Sequence, residues 1–341
     1  QTPSSSPSSS SPYDGIVISG GCALNVRVNS VVASHFPHLP IHIPAAPSDC
    51  GIAVGAAWIV TPPPLTTSAG ELPKFNLHFL GPRLFDVWYP KDSKVPKNDL
   101  FDEFEVIVGD KGLEFKGGHL NRINLDVLGS KLGARKIFSD DDGDGIDNQA
   151  GFELLAQALV DENILGVVRG RSEHGPRALG HRSLLSIPAA GMKERMNFLK
   201  HREWYRPVAP ILAQEEADRI FVRDGDQELY SPFMSFAPKV RPHIPALLPA
   251  LAHVDNTARP QTVSKDSDAW MHDLLFAVKK ASRSSRDEEG SAVLINTSFN
   301  TRGYPILNSA MEALELLRTC RELDMVLIEG WLFKKSEVIH L

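Results

Sequence analysis

Cysteine is scarce in this chain: Cys22, Cys50 and Cys320 are the only three among 341 residues, with no CxxC pair. That excludes a disulfide scaffold and a cysteine-rich zinc module, and it predicts buried, reduced thiols of the intracellular kind. No apolar run approaches the roughly 18 residues of a membrane span. Residues 1–11, QTPSSSPSSSS, have neither the basic start nor the apolar centre of a signal peptide. No GxxxxGKS/T occurs, which excludes a P-loop. Positive charge is lacking overall, the formal charge being −6, which argues against a general binder of nucleic acid or membrane surfaces. A cytoplasmic location is the expectation.

With 42% hydrophobic and 23% charged residues, the composition is that of a globular protein, and the length fits about two domains. The Ser/Pro-rich residues 1–12 read as a disordered linker. Residues 13–85 form a first unit, with a strand and glycine turn at GIVISGG (15–21) and helices over 22–34 and 50–60: one lobe of an α/β fold. Residues 86–150 read as an irregular connector. From 151 to 341 helix and strand alternate. Helices are predicted over 152–162, 192–200, 270–281 and 311–319, and strands over 164–170, 208–212 and 292–298. Trp270, Leu274 and Ala277 share a helical stripe, and the apolar segment 325–333 closes the core. There is no internal repeat.

Charge is unevenly spread. Between Arg169 and Arg206 nine Lys or Arg residues face three Glu. Such a cluster inside an acidic chain suits a small anionic ligand more than a polymer. Within it, GRSEHGPRALGHRS (170–183) spaces Arg171, Arg177 and Arg182 through a turn punctuated by Gly and Pro. Guanidinium forks there suit phosphate or carboxylate, at about 1.5–3 kcal/mol per charge-assisted bond; the alternative is an Arg–Glu network bracing the turn. In KHREWYRP (200–207), Lys200 and Arg202 alternate and share a face of an extended backbone. Asn296, Ser298 and Asn300 do the same in INTSFN (295–300), although a plain turn after a strand accounts for that segment equally. Gly20-Gly21 between a strand and a helix lets backbone amides approach a phosphate, and it is equally an ordinary turn.

Seven ordered segments carry a resemblance: GGCALNVRVNS, PSDCGIAVGAA, GRSEHGPRALGHRS, MKERMN, KHREWYRPVAP, HVDNTARPQTV and VLINTSFNTRGYPI. Together they resemble the NodU/CmcH O-carbamoyltransferase family over most of residues 15–335. The resemblance implies an actin/hexokinase-type (Kae1-like) ATPase lobe, followed by a YrdC-like α/β domain. It implies carbamoyl phosphate and ATP, with Mg, as substrates that form carbamoyl-adenylate for transfer to the hydroxyl of a small metabolite. The family's KxR…SxN signature matches Lys200, Arg202, Ser298 and Asn300, and Asn296 joins Ser298 in orienting the carbamoyl group. Arg171, Arg206 and Arg259 are assigned to phosphate and carbamoyl oxygens. Arg177 either joins them or, like Arg182, braces the turn. Gly20, Gly21 and Asn25 fall on the nucleotide side of the ATPase lobe.

The family's first lobe, with paired histidines that hold a metal such as iron, has no counterpart here. Only Asp49 matches a metal ligand, and one carboxylate cannot hold a transition metal alone. The chain opens on Gln1, so the expectation is a longer product without its front, or a companion chain that supplies the missing lobe. His35 and His38 flank Pro37 and read as surface residues. Asp140, Asp142, Asp144 and Gly145 follow calcium-loop spacing, but Gly151 stands where the bidentate Glu belongs, so a solvated acidic linker is expected. His174 reads as a hydrogen-bonding partner in the Arg turn, with a base as the rarer role. Two rival readings are an L-threonylcarbamoyl-AMP synthase-like enzyme and a non-catalytic nucleotide-binding remnant.

Overall fold

A computed structural model describes residues 13–63, 78–87, 105–109, 112–116, 123–139, 145–223, 228–283 and 287–338. Near the N-terminus β1 (Ile16–Val17) leads to helix α1 (Val26–His35). Strand β2 (Ile41–His42), parallel to β1, leads to helix α2 (Ile52–Val60). α1 starts later than the sequence pattern predicts because Gly21–Leu24 form a tight 3-10 turn. Asn25 then caps the helix, its side chain accepting from the N–H groups of Arg27 and Val28, each at 3.2 Å. A side-chain acceptor there satisfies amides that the first helical turn leaves unpaired. Cys22 and Cys50 sit in the turns before α1 and α2 and are exposed, with Cys320 half-buried. The thiols are free, but the expected burial does not hold for the first two: in the turn before α1 it is Ala23, next to Cys22, that faces inward. His35 and His38 are exposed, as expected.

The stretch taken for an irregular connector contains regular elements. β3 (Glu105–Gly109) and β4 (Gly112–Lys116) form an antiparallel hairpin. Helix α3 (Leu125–Lys131) and β5 (Arg135–Lys136) follow, and Leu125, Leu128 and Leu132 enter the main core. The helical period was obscured by Gly129, which is there because a Cβ at that position would collide with the indole of Trp331. Asp140 to Asp144 of the calcium-like run lie outside the described residues.

The remaining elements are α4 (Asn148–Val160), β6 (Leu165–Val168), β7 (Arg182–Ser186), α5 (Met192–Leu199), β8 (Ala209–Ala213), α6 (Ala217–Ile220), α7 (Ile244–Leu247), β9 (Gln261–Val263), α8 (Ala269–Ala281), β10 (Val293–Ser298), α9 (Ala310–Thr319), β11 (Met325–Ile328), β12 (Trp331–Lys334) and α10 (Lys335–Val338). They build a mixed α/β body around an eight-stranded sheet, in the order β5-β12-β11-β6-β7-β10-β8-β9. The β6–β11 and β8–β9 pairs are parallel and the others antiparallel. The 325–333 segment is thus a hairpin of β11 and β12.

Central strands such as LGVV and APILA are buried along their whole length, because helices cover both faces. On one face α4 and α8 set Leu155, Leu159 and Leu274 against Val167, Ile211 and Leu294. On the other, α3, α5 and α9 set Leu128, Met196 and Leu314 against Val168, Leu184 and Ile295. Truncating any one of these leucines to Ala costs about 2–5 kcal/mol. The N-terminal elements are tied to this body. Nδ2 of Asn29 donates to the Ser235 carbonyl at 2.9 Å, Ser30 Oγ accepts from Ala237 N–H at 2.8 Å, and Arg27 pairs with Asp255. Among the described residues no helix is long and apolar enough to cross a membrane.

Candidate functional site

The Arg turn joins β6 to β7 across one end of the sheet. One oxygen of Glu173 accepts the backbone N–H groups of Leu179, His181 and Arg182 at 2.7, 2.9 and 3.1 Å. A carboxylate therefore braces the turn through its amides. Arg182 braces it from below: fully buried, it donates to the carbonyls of Arg169 and Gly170 at 2.8 and 2.9 Å. Gly175 and Gly180 lie at φ +109° and +106°, a region costly for any residue with a Cβ. Behind the turn Arg169 pairs with Asp268 and lies 4.5 Å from the Trp270 ring. Burial opposes the charge on Asp268, but Arg169 and His181 outweigh it and hold the carboxyl well below the ordinary range.

KHREWYRP leaves the C-terminal end of α5. Asn197, fully buried, fixes this loop: its Nδ2 donates to the carbonyls of Trp204 and Arg206 at 2.8 and 2.9 Å, and its Oδ1 accepts from Arg202 Nε at 2.5 Å. Lys200, beside it, reaches the end of β10. Nζ donates to the Ser298 carbonyl at 2.6 Å, to Ser298 Oγ at 3.1 Å and to Asn300 Oδ1. Ser298 Oγ itself donates to Asn300 Oδ1 at 2.7 Å. The KxR and SxN residues, about a hundred positions apart in sequence, thus meet. Burial and the neighbouring Arg202 push the Lys200 pKa down to about 7, against the pull of three acceptors that favour its charged form.

Around Lys200 positive charge is crowded. Burial lowers the pKa of Arg259 to about 10, with Arg177 and Arg202 adding to the effect. Burial also lowers Arg177, and Arg202 is lowered by burial and by Arg206. Neither Arg177 nor Arg259 makes a hydrogen bond or ion pair among the described residues, and Nη2 of Arg202 is buried without a partner there. Half-buried arginines held together, with uncommitted donors, are arranged to receive an anion. Asn296 is buried at the floor, its Nδ2 donating to the Ala178 carbonyl at 3.0 Å.

The other sequence candidates lie elsewhere. Arg171 is exposed and donates to the Leu80 carbonyl at 3.0 Å, and Arg206 pairs with Glu203 at 2.8 Å on the rim. Gly20 and Asp49 line a separate 460 Å³ cavity beside α2, together with His174, whose Nε2 is buried without a partner among the described residues. The Gly20 N–H is spent on the Pro47 carbonyl at 2.5 Å, and Asn25 on its helix cap. Gly21 opens the 3-10 turn. No three His, Cys, Asp or Glu side chains converge among the described residues. Among the described residues Asp49 stands alone and does not amount to a metal site. Glu173 does brace the turn, as the Arg–Glu alternative foresaw, but through backbone amides. The support that sequence reasoning missed is Asn197, which lies inside MKERMN but whose residue type does not signal a network by spacing.

A family model described as the carbamoyltransferase C-terminus matches residues 156–335, just over half of the chain. The chain belongs to the carbamoyltransferase family. A carbamoyltransferase N-terminus model also matches residues 9–58. Among curated relatives, the nodulation protein NolNO of Sinorhizobium fredii is 32% identical over 93% of this chain and 39% of its own length. Nodulation protein U of Rhizobium tropici is 27% identical over 96% of this chain and 44% of its own length. The 3'-hydroxymethylcephem-O-carbamoyltransferase of Amycolatopsis lactamdurans is 35% identical over 54% and 33%. The chain spans about half or less of the length of the curated relatives it matches. In this member of the carbamoyltransferase family the cation group, the Arg turn and the SxN strand all fall inside the C-terminal match.

Proposed function

We propose that the chain holds the carbamoyl-activating site of an ATP-dependent O-carbamoyltransferase. In this reading residues 151–341 are a YrdC-like domain and residues 13–85 one lobe of an actin/hexokinase-type domain. The observation that carries it is a cation group beside a Ser/Asn strand end: buried Lys200, bonded to Ser298 and Asn300, with the half-buried Arg177, Arg202 and Arg259 around it keeping uncommitted donors. Carbamoyl phosphate loses its phosphate to water, leaving carbamate. A carbamate oxygen attacks the α-phosphorus of ATP, which enters with its magnesium. The bond to the β-phosphate oxygen breaks, pyrophosphate leaves with that electron pair, and carbamoyl-adenylate forms. A hydroxyl of a small acceptor metabolite then attacks the carbonyl carbon, the bond to the adenylate oxygen breaks, and AMP departs as the hydroxyl proton is lost.

Two polyanions must approach each other at this site, and negative charge moves toward pyrophosphate in the transition state. Arg177, Arg202 and Arg259 supply hydrogen bonds to those oxygens. Lys200 supplies charge and orders Ser298 and Asn300, which lie on the carbamoyl and nucleotide sides respectively. Arg171 and Arg206 act from the rim, and Gly20, Gly21 and Asn25 belong to the nucleotide side of the ATPase lobe. Pyrophosphate release by the purified chain should require both ATP and carbamoyl phosphate; equal release with ATP alone counts against the assignment.

A second reading, a subunit completed by another segment or chain, is favoured by α2. Its Ile52, Ile59 and Val60 are 68%, 83% and 82% exposed. Mixing the chain with the N-terminal half of a full-length relative tests it. Protection of α2 amides from exchange supports the reading, and unchanged exchange removes it.

A further inference from the structure

Two buried side-chain amides beneath the Arg turn are only half satisfied. Asn296 and Gln261 are 1% and 2% exposed. Nδ2 of Asn296 donates to the Ala178 carbonyl and Nε2 of Gln261 to the Leu179 carbonyl, each at 3.0 Å. Only the NH2 end of an amide can bond a carbonyl oxygen, so these contacts fix which way each group points. Oδ1 of Asn296 and Oε1 of Gln261 are left buried with no partner among the described residues. Register puts the two together. Asn296 lies opposite Ala209 and Gln261 beside Ile211, two positions along the same strand and therefore on the same face. Their carbonyl partners are consecutive residues of one turn.

A buried acceptor without a donor is costly, and such groups persist where a ligand supplies the missing bond. The groups around this pair are of the opposite kind. Arg259 is two residues before Gln261, and Arg177 immediately precedes Ala178; neither makes a hydrogen bond among the described residues. The site therefore matches a small planar ligand with N–H donors at one end and anionic oxygens at the other. Carbamoyl phosphate has both, an NH2 on its sp² carbon and anionic oxygens on the phosphorus one bridging oxygen away. An acyl phosphate of the same size has a methyl in place of the NH2 and nothing to donate.

We propose that Asn296 and Gln261 form an amide-reading pair, whose oxygens accept the two N–H bonds of the carbamoyl NH2 and select carbamoyl phosphate over acyl phosphates. Gln261 is thereby a specificity-determining residue of the site. The proposal rests on the activating site described above, and its test separates the two. Calorimetric titration of the full chain uses carbamoyl phosphate, acetyl phosphate and inorganic phosphate. Carbamoyl phosphate should bind about tenfold or more tightly than acetyl phosphate, because a site built for an N–H rejects the analogue that lacks it. Gln261→Met should cut that preference to about twofold, with thermal melting as the check on folding. If that variant fails to fold, the wild-type ratio decides alone. Equal binding of carbamoyl and acetyl phosphate, with inorganic phosphate also bound, overturns the amide pair and leaves the cation site standing. Binding of none of the three removes the activating site and this inference with it.

Discussion

Raising the pH from 6 to 9 should weaken anion binding by this chain through one group, Lys200. Burial and Arg202 push its pKa from 10.5 down to about 7. Such a group is about nine-tenths charged at pH 6 and about one-tenth charged at pH 8. A bound dianion favours the charged form, so a neutral site must take up a proton as it binds. Affinity for sulfate, which does not titrate in this range, should fall about tenfold between pH 6 and 8, with uptake of about 0.9 proton per site at pH 8. Calorimetry in two buffers of different ionisation enthalpy reads both quantities. Lys200→Gln should bind sulfate more weakly at pH 6 and lose the slope. Affinity that stays flat from pH 6 to 9, or a slope that survives in Lys200→Gln, would refute the reasoning. The effect on stability has a definite sign as well. The folded chain holds fewer protons than the unfolded chain between about pH 7 and 10.5, so this group makes stability rise with pH across that window.

Lys200→Ala, Arg202→Ala and Ser298→Ala should each lower pyrophosphate release about 30- to 1,000-fold, or about 2–4 kcal/mol in the transition state; wild-type rates in folded variants would remove these residues from the site. Glu173→Ala strands three backbone N–H groups and should cost about 2–4 kcal/mol in urea unfolding, with an unchanged midpoint as the contrary result. Asn197→Ala should cost about 1–3 kcal/mol and loosen residues 200–207, read as faster amide exchange there than in α5. Metal analysis of the chain should find no stoichiometric iron or zinc; one tightly held metal per chain, released by Asp49→Ala, would mean that other residues complete the site.

Much of the body was legible because local chemistry and tertiary demand agree there. The runs LGVV and APILA, and the VLI that opens VLINTS, are continuous apolar strand segments, as a sheet covered on both faces requires, and α4, α5, α8 and α9 follow their apolar periods. Residues 123–139 were not legible. α3 is one short helix containing a glycine whose missing Cβ leaves room for the Trp331 ring, about two hundred residues away in sequence. The delayed start of α1 turned on which of several polar residues caps it, a choice decided by backbone geometry at Asn25.

The sequence by itself determined the apolar strands, the positions of the Arg turn and the KxR and SxN pairs, and a basic segment inside an acidic chain. Only tertiary structure decided which of those cations are available. Arg169 is neutralised by Asp268, 99 residues downstream, and Arg182 spends its guanidinium on carbonyls of its own turn. Arg177, indistinguishable from them by residue type, is left with open donors. Likewise Gln261 reads as an ordinary strand residue until Leu179, 82 positions away, takes its NH2 group and leaves its oxygen buried without a partner among the described residues. The physical reason is common to all of these. A side chain carries its chemistry in the sequence, but the charge and hydrogen-bonding capacity it has left depend on partners that only the folded chain brings within about 3 Å.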